Sequence, residues 1–521
     1  MAHYSNPVLD ADWPDPDAVR VGDDYWMIAS SFNRAPGLPV LHSRDLVAWE
    51  HVANALPALP QAGHYALPRH GSGVWAPSLR HHDDRFWIVY PDPDHGIFVL
   101  TATDPRGPWS EPWCLIAGRG LIDPCPLWDD DGRTYLVHGW ARSRAGIKNR
   151  LTLVEVDPGL REVVGQARTV IDGDELPGFR TLEGPKLYQR DGWYWIFAPA
   201  GGVATGWQTA FRSRSVWGPY EHRVVLEQGG SPVNGPHQGA WVDAPDGGDW
   251  FLHFQDRGVF GRVVHLQPMR WDDDGWPRLG DPLPAGDAVR DSTADAVGRG
   301  TPVLRHPVPV PGAEPGEPAR GDAFDTPGLA PRWHWQANPE PGWYDAPGDG
   351  TLRLRAQATA RGDLRAQGAV LGQQLPGQPS TWTTRATLSG TAPGTRTGLV
   401  VLGREYSWLG LERTPAGVDV VCRRSAPGGG AAVEESVAQA PAPGPDVDLR
   451  AAVDADGEVT WSWRAHGDEP WQDLAAVPAT VGHWIGAEVG LFASAPLGAA
   501  TTADDAGTFG PVRVTVAGKD A

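Results

Sequence analysis

Along the first half of the chain, short apolar runs alternate with clusters of Gly, Pro and Asp. One unit recurs. An acid before Gly-Pro opens Glu183-Gly184-Pro185-Lys186-Leu187-Tyr188. A turn, Gln189-Arg190-Asp191-Gly192, then leads into the aromatic run Trp193-Tyr194-Trp195-Ile196-Phe197. The same order of opening residue, apolar segment, turn and aromatic strand begins at Asp15, Trp75, Asp123 and His237. The openings stand 11 to 13 positions before the aromatic of the second strand. Each copy predicts a β-hairpin, and further strand-like sequence follows, such as Gly96-Ile97-Phe98-Val99-Leu100-Thr101. Short strands repeated at about 50 residues per unit read as propeller blades. The five opening residues, Asp15, Trp75, Asp123, Glu183 and His237, are therefore expected in equivalent places around one axis.

No amphipathic helix interrupts residues 6–276. Gly107-Pro108-Trp109 and Gly218-Pro219-Tyr220 are expected to close the second and fourth units. Trp128-Asp129-Asp130-Asp131-Gly132 and Trp271-Asp272-Asp273-Asp274-Gly275 lack the alternating ligands and distal Glu of a calcium loop and read as hairpin turns. From 281 to 320 the pattern dissolves, and six prolines between Pro302 and Pro318 predict an extended linker packed across a surface. Period-two alternation returns at 351–355 and 381–388, and further strands are predicted at 398–412, 418–423, 447–453, 459–463, 489–492 and 512–516. Residues 426–442, rich in Gly, Pro and Ala, read as a loose loop. The predicted fold is all-β: a five-bladed β-propeller at 1–285, a Pro-rich linker at 286–320 and a β-sandwich at 321–521.

The 521 residues suit two large domains, and 41% hydrophobic with 21% charged residues is the balance of a globular chain. A net charge of −20 without a basic stripe argues against nucleic acid or an anionic membrane as partner. Three cysteines, Cys114, Cys125 and Cys422, supply no disulfide framework. No basic, then apolar, leader precedes the first repeat and no apolar run reaches transmembrane length. The expected location is the cytoplasm, or outside the cell should a leader be missing. Twenty-six tryptophans suit either sugar-binding surfaces or a propeller core.

Asp15, Asp123 and Glu183 are the chemistry in this pattern. Alone, an Asp-Pro or Glu-Gly-Pro is a turn signal; three carboxylates around one channel are what glycosidic cleavage uses. One protonates the leaving oxygen, one handles water or the anomeric carbon, and a third raises the acid's pKa by like-charge proximity. His237 is either a satisfied core histidine or a group that holds a central ion or water. Trp75 is a sugar platform or core, and Arg257 binds substrate hydroxyls or pairs with an acid such as Asp256.

The order Asn6-Pro7-Val8-Leu9, Pro14-Asp15-Pro16-Asp17, Gly73-Val74-Trp75-Ala76-Pro77, Asp123-Pro124 and Glu183-Gly184-Pro185 resembles glycoside hydrolase family 43. Ser30-Ser31-Phe32 with Pro36 to Leu46 resembles its β-xylosidase and α-L-arabinofuranosidase branch. The tail from Phe324 to Thr515 resembles the concanavalin-like sandwich appended to many such enzymes. The resemblance implies an inverting enzyme with Asp15 as general base, Glu183 as general acid and Asp123 raising the acid's pKa and orienting it. It also implies Phe32 and Trp75 as walls of the sugar subsite, Arg257 as a substrate ligand, and a calcium or water near His237 at the propeller centre. No other cofactor is implied. Asn33-Arg34-Ala35 departs from the aromatic residues that some β-xylosidases of this branch carry there, so xylose and arabinose both stay open. The expected function is exo-hydrolysis of terminal α-L-arabinofuranosyl or β-D-xylosyl units from plant oligosaccharides, by a chain that is a monomer or a homo-oligomer. The alternatives are a non-catalytic carbohydrate-binding propeller and a retaining fructosidase-like hydrolase.

Overall fold

The structure, a computed structural model, describes residues 2–284, 298–359, 362–425, 434–499 and 501–518. Its first part is five antiparallel four-stranded blades. Blade one is Asp17–Val21, Asp24–Ile28, Gly37–Ser43 and Glu50–Leu56; blade two is Ser78–His82, Arg85–Asp92, Gly96–Ala102 and Trp113–Ala117. Blade three is Leu121–Trp128, Thr134–Trp140, Arg150–Val156 and Arg168–Asp172. Blade four is Lys186–Arg190, Trp193–Ala200, Trp207–Ser213 and Glu221–Leu226; blade five is His237–Asp243, Asp249–Asp256, Arg262–Trp271 and Pro277–Leu279. Gly107-Pro108 and Gly218-Pro219 occupy matching places, but they turn the chain into the outermost strand of their blade rather than closing it. Both Asp-rich segments are hairpin turns, closed by Gly132 N to Asp129 O (3.0 Å) and Gly275 N to Asp272 O (2.8 Å).

A blade is apolar on both faces because it is sandwiched between two others, which is why its strands read as continuous apolar runs. One buried cluster fills each wedge between neighbours. Ile28, Val40 and Ile88 lie between blades one and two, and Val89, Leu136 and Val154 between two and three. Val137, Ile196 and Phe211 lie between three and four, and Phe197, Phe251 and Met269 between four and five. Tyr25, Leu252 and Leu266 join five back to one. Full burial of one such side chain contributes about 1.5–3 kcal/mol. Trp195 is fully buried in the propeller, and Trp333, Trp335, Trp382, Trp408 and Trp461 are fully buried in the second part, so core packing accounts for these six of the tryptophans.

The hairpin registers refine the expected equivalence of the opening residues. Asp17 pairs with Ile28, Ser78 with Val89, Cys125 with Val137 and Lys186 with Phe197. Two residues before these pairs stand Asp15, Ala76, Asp123 and Gly184. Asp15 and Asp123 are thus true equivalents, whereas Trp75 and Glu183 sit one position earlier in their blades. The aromatic counterpart of Trp26 and Trp87 in blade four is Trp195, not Tyr194.

The second part is two eight-stranded sheets with a tryptophan-rich core between them. Residues 398–412 form two strands, Arg396–Leu402 and Tyr406–Thr414, rather than one. Of the predicted loose loop, 434–441 is instead the strand Glu434–Pro441 paired with Gly417–Ser425, and 426–433 lie outside the described residues. The proline-rich segment does pack across the propeller. Gly300 pairs with Leu226 of blade four, and Arg305–Pro307 pairs with His3–Ser5; residues 285–297 lie outside the described residues. Among the described residues no helix is long and apolar enough to cross a membrane.

The two parts meet through buried polar groups. The Arg34 guanidinium pairs with Glu488 of the sandwich and with Asp12 of the propeller, and Gln336 Nε2 donates to Glu488 Oε2 over 2.5 Å. Asn33 Nδ2 donates to Gln336 O over 2.7 Å, and Ala35 and Trp335 exchange backbone hydrogen bonds. The segment Asn33-Arg34-Ala35 is therefore the propeller's half of the domain junction.

Candidate active site

Asp15, Asp123 and Glu183 line one cavity of about 190 Å³ at the end of the propeller axis, a volume on the scale of one sugar ring. They come from blades one, three and four, so Asp15 and Glu183 belong to blades that are not neighbours in the ring. Asp15 and Asp123 have left-handed backbone, φ 55° and 56°, ahead of a proline that normally draws its predecessor to extended geometry. Such conformations cost about 1–3 kcal/mol and persist where surrounding structure dictates them.

Asp15 is held through both oxygens. Ser30 Oγ donates to Oδ2 over 2.5 Å and Arg262 Nη1 donates to Oδ1 over 2.9 Å. The Arg262 guanidinium also lies 4.7 Å over the Phe254 ring, which fixes its plane. Asp123 Oδ2 accepts from the Gly184 amide at 2.7 Å, tying it to the residue after Glu183. Gly184 has φ 60°, and a Cβ there would come within 2.5 Å of the Gln238 side chain, so only glycine delivers this amide. Glu183 Oε1 lies 3.0 Å from His237 Nε2.

Burial drives the Asp123 carboxyl well above its usual range, and the neighbouring charge of Glu183 pushes it further, with a smaller push from Asp15. The Gly184 amide and the Lys186 ammonium oppose this without reversing it. Like charges crowded in a buried site disfavour ionisation of both neighbours at once.

Phe32 and Trp75 form one wall, with ring centroids 6.3 Å apart. Phe32 has left-handed backbone (φ 52°), and two amide bonds, Phe32 N to Val74 O (2.8 Å) and Val74 N to Phe32 O (3.0 Å), splice its loop to the one carrying Trp75. Trp484 of the sandwich also lines the cavity, its ring 6.4 Å from Trp75, so the second domain contributes to the site. Arg257 is not among the lining residues: Nη1 donates to Asp10 at 3.1 Å and the guanidinium lies over Phe260. Arg262, five residues later, lines the cavity instead and binds Asp15. It is reached through Gly261 (φ 77°), where a Cβ would strike the Asp12 carboxylate. Sequence reasoning missed Arg262 and Trp484; the signal for Arg262 was a second Arg beside a Gly, in Gly261-Arg262, soon after Arg257-Gly258.

His237 lines the cavity, fully buried, and among the described residues its Nδ1 has no hydrogen-bond partner. Calcium needs six to eight oxygen ligands. Among the described residues no group of three or more His, Cys, Asp or Glu could hold a metal ion. The donors around His237 therefore do not fit a directly bound calcium, and the orphaned nitrogen suits a hydrogen-bonding water.

With this geometry, comparison with known proteins is decisive. The pattern of glycosyl hydrolases family 43 matches residues 4–277, and that of the beta xylosidase C-terminal concanavalin A-like domain matches 321–505. The chain belongs to family 43. It is a glycoside hydrolase, an all-β propeller followed by a concanavalin-like sandwich. Among its relatives, a putative beta-xylosidase of Xylanibacter ruminicola is 36% identical over 409 residues, 78% of this chain and 72% of that one. A xylosidase/arabinosidase 43B of Humicola insolens is 35% identical over 302 residues, 53% of this chain and 55% of that one. The crystal structure of a xylan beta-1,4-xylosidase from Bacillus halodurans C-125 superposes with TM-score 0.83 at 24% identity, covering 98% of this chain and 99% of that one. This last likeness is one of fold.

Proposed function

We propose that this family-43 chain is an exo-acting, inverting glycosidase that releases terminal β-D-xylosyl or α-L-arabinofuranosyl units from oligosaccharides. The observation that carries this reading is the convergence of three carboxylates from three blades on one small cavity. The related xylosidases and xylosidase/arabinosidases support the sugar class.

Glu183 gives a proton to the glycosidic oxygen as the bond from that oxygen to the anomeric carbon breaks. A water on the opposite face forms the new bond to that carbon, and Asp15 takes the proton the water sheds. Arg262 and Ser30 fix Asp15 by binding both oxygens, leaving lone pairs for that water. His237 Nε2, 3.0 Å from Glu183 Oε1, fixes the orientation of the acid. Asp123 restrains Glu183 through the Gly184 amide. Phe32 and Trp75 face the apolar side of the sugar.

Nitrophenyl xyloside and arabinofuranoside, with proton NMR of the first-formed anomer, test the reading. Inverted product and a fall of at least about 10³-fold in kcat for Asp15→Ala and Glu183→Ala, with unchanged thermal unfolding, are expected. Retained configuration would make Asp15 a nucleophile, and no turnover of either glycoside would leave a carbohydrate-binding propeller.

A further inference from the structure

We propose that the mouth of the catalytic cavity is a subsite for a uronic-acid carboxylate on the leaving-group part of the substrate, held by Arg142 and Lys148. The inference rests on the glycosidase reading, because it places the acid next to the bond that Glu183 cleaves.

Both side chains line the cavity. Among the described residues neither has a salt bridge or a side-chain hydrogen bond, whereas nearby charges are already satisfied. Arg144 reaches Asp94 (3.2 Å) and lies over Trp75; Arg119 also reaches Asp94, and Arg150 reaches Asp172. Asp174 accepts from Asn149 Nδ2. Among the described residues the carboxylates lining the cavity are Asp15, Asp123 and Glu183, which are spoken for by the chemistry. Arg142 and Lys148 are exposed and solvated in the free chain, so in a chain of net charge −20 they offer a carboxylate of the substrate two cationic donors beside the catalytic cavity.

Their place selects the leaving-group side. Lys148 directly precedes Asn149, whose Oδ1 accepts from Leu182 N at 2.7 Å, so it stands on the loop that braces Glu183. Arg142 follows Trp140, which pairs with Leu121 at the start of the strand bearing Asp123. Asp15, Phe32 and the attacking water belong to the other side. The sandwich side of the mouth is electropositive too: burial first, then the cations Arg404, Arg144 and Arg365, push the His483 imidazole below its usual range beside Trp484.

The test compares a neutral xylo-oligosaccharide with one of the same length carrying glucuronic acid on the sugar next to the scissile bond. The native enzyme is expected to favour the acidic substrate about 5–30-fold in kcat/KM at low salt, with the preference shrinking as salt rises. In the double variant R142Q/K148Q the ratio falls to about one. Equal turnover of the two substrates, or a preference that survives the double variant, overturns the subsite. Calorimetric binding of both oligosaccharides to the native chain separates this from the parent reading. If neither is hydrolysed, release of xylosyl units fails, and tighter binding of the acidic one, lost in the double variant, still sustains the subsite; equal binding overturns it.

Discussion

Arg262 donates to Asp15 Oδ1 over 2.9 Å, while Arg257, on the other side of one short turn, donates to Asp10 over 3.1 Å. The pair makes a controlled experiment. Arg262→Ala removes a buried charge-assisted bond to the carboxylate that activates water, and kcat/KM is expected to fall about 10²–10³-fold. Arg257→Ala is expected to stay within about tenfold of the native value. Equal losses in the two variants would show that the distinction between the guanidinium groups is wrong.

Asp123 should trade stability for activity. Its folded pKa lies well above the ordinary 3.8 because of burial and then Glu183. Between the unfolded and folded values the native state holds a proton that the unfolded chain has released, so stability declines as pH rises through that window. Asp123→Asn abolishes this decline and keeps an oxygen for the Gly184 amide. The variant is expected to melt a few degrees higher than the native chain at pH 7, with the difference vanishing near pH 4, and to lose about 10²–10³-fold in kcat. Calorimetry across pH 4–8 checks the sign; a lower melting temperature at pH 7 would contradict it.

How far the sequence reveals this site follows from what each contact depends on. Asp15 and Asp123 are visible because the acid, the following proline and the hairpin lie within one stretch of chain, and five repeats expose the common axis. The one-residue offset of Glu183 and Trp75 is hidden, since blades one, two and four share the same two-residue turn and the extra residue enters between the opening residue and the first strand, where no turn signal marks it. Arg257 and Arg262 look interchangeable in sequence; the turn at Gly258–Phe260 and the tight approach of Gly261 to Asp12 decide between them. Trp484 and the Arg34–Glu488 pair join residues more than 400 positions apart, and no local pattern encodes such docking. The strand Glu434–Pro441 was obscured by Ala and Pro because it lies at the edge of its sheet, where propensity is weakest.

Acid should unfold the protein through its buried histidines. Burial pushes His51, His138 and His253 down to about 4, and holds His265, stacked on His253, well below its usual value. Below the unfolded value of about 6.5 the unfolded chain takes up protons that the folded chain refuses, so stability falls as pH drops from about 6.5 to 4. Each such group contributes at most about 1.4 kcal/mol per pH unit. Urea midpoints are expected to drop steeply below pH 6, and a flat profile from 7 to 4.5 would refute the mechanism.

The domain junction should control the sugar subsite. Glu488 is buried, and although burial favours its neutral form, the Arg34 guanidinium, His334 and Gln336 hold it below the usual carboxylate range. Glu488→Ala leaves Arg34 buried with Asp12 as its remaining acid, a loss expected to cost about 3 kcal/mol or more in urea unfolding. Arg34 lies two residues from Phe32, whose loop is spliced to that of Trp75, so the disturbance reaches the wall facing the sugar. KM for the preferred nitrophenyl glycoside is therefore expected to rise about 5–20-fold, with a smaller change in kcat, because the wall binds substrate while the carboxylates keep their own supports. Trp484→Ala, which removes the sandwich's ring from the cavity without touching the ion pair, is expected to raise KM while leaving the urea midpoint in place. If Glu488→Ala weakened folding and left KM unchanged, the junction would be structural only, with no hold on the subsite.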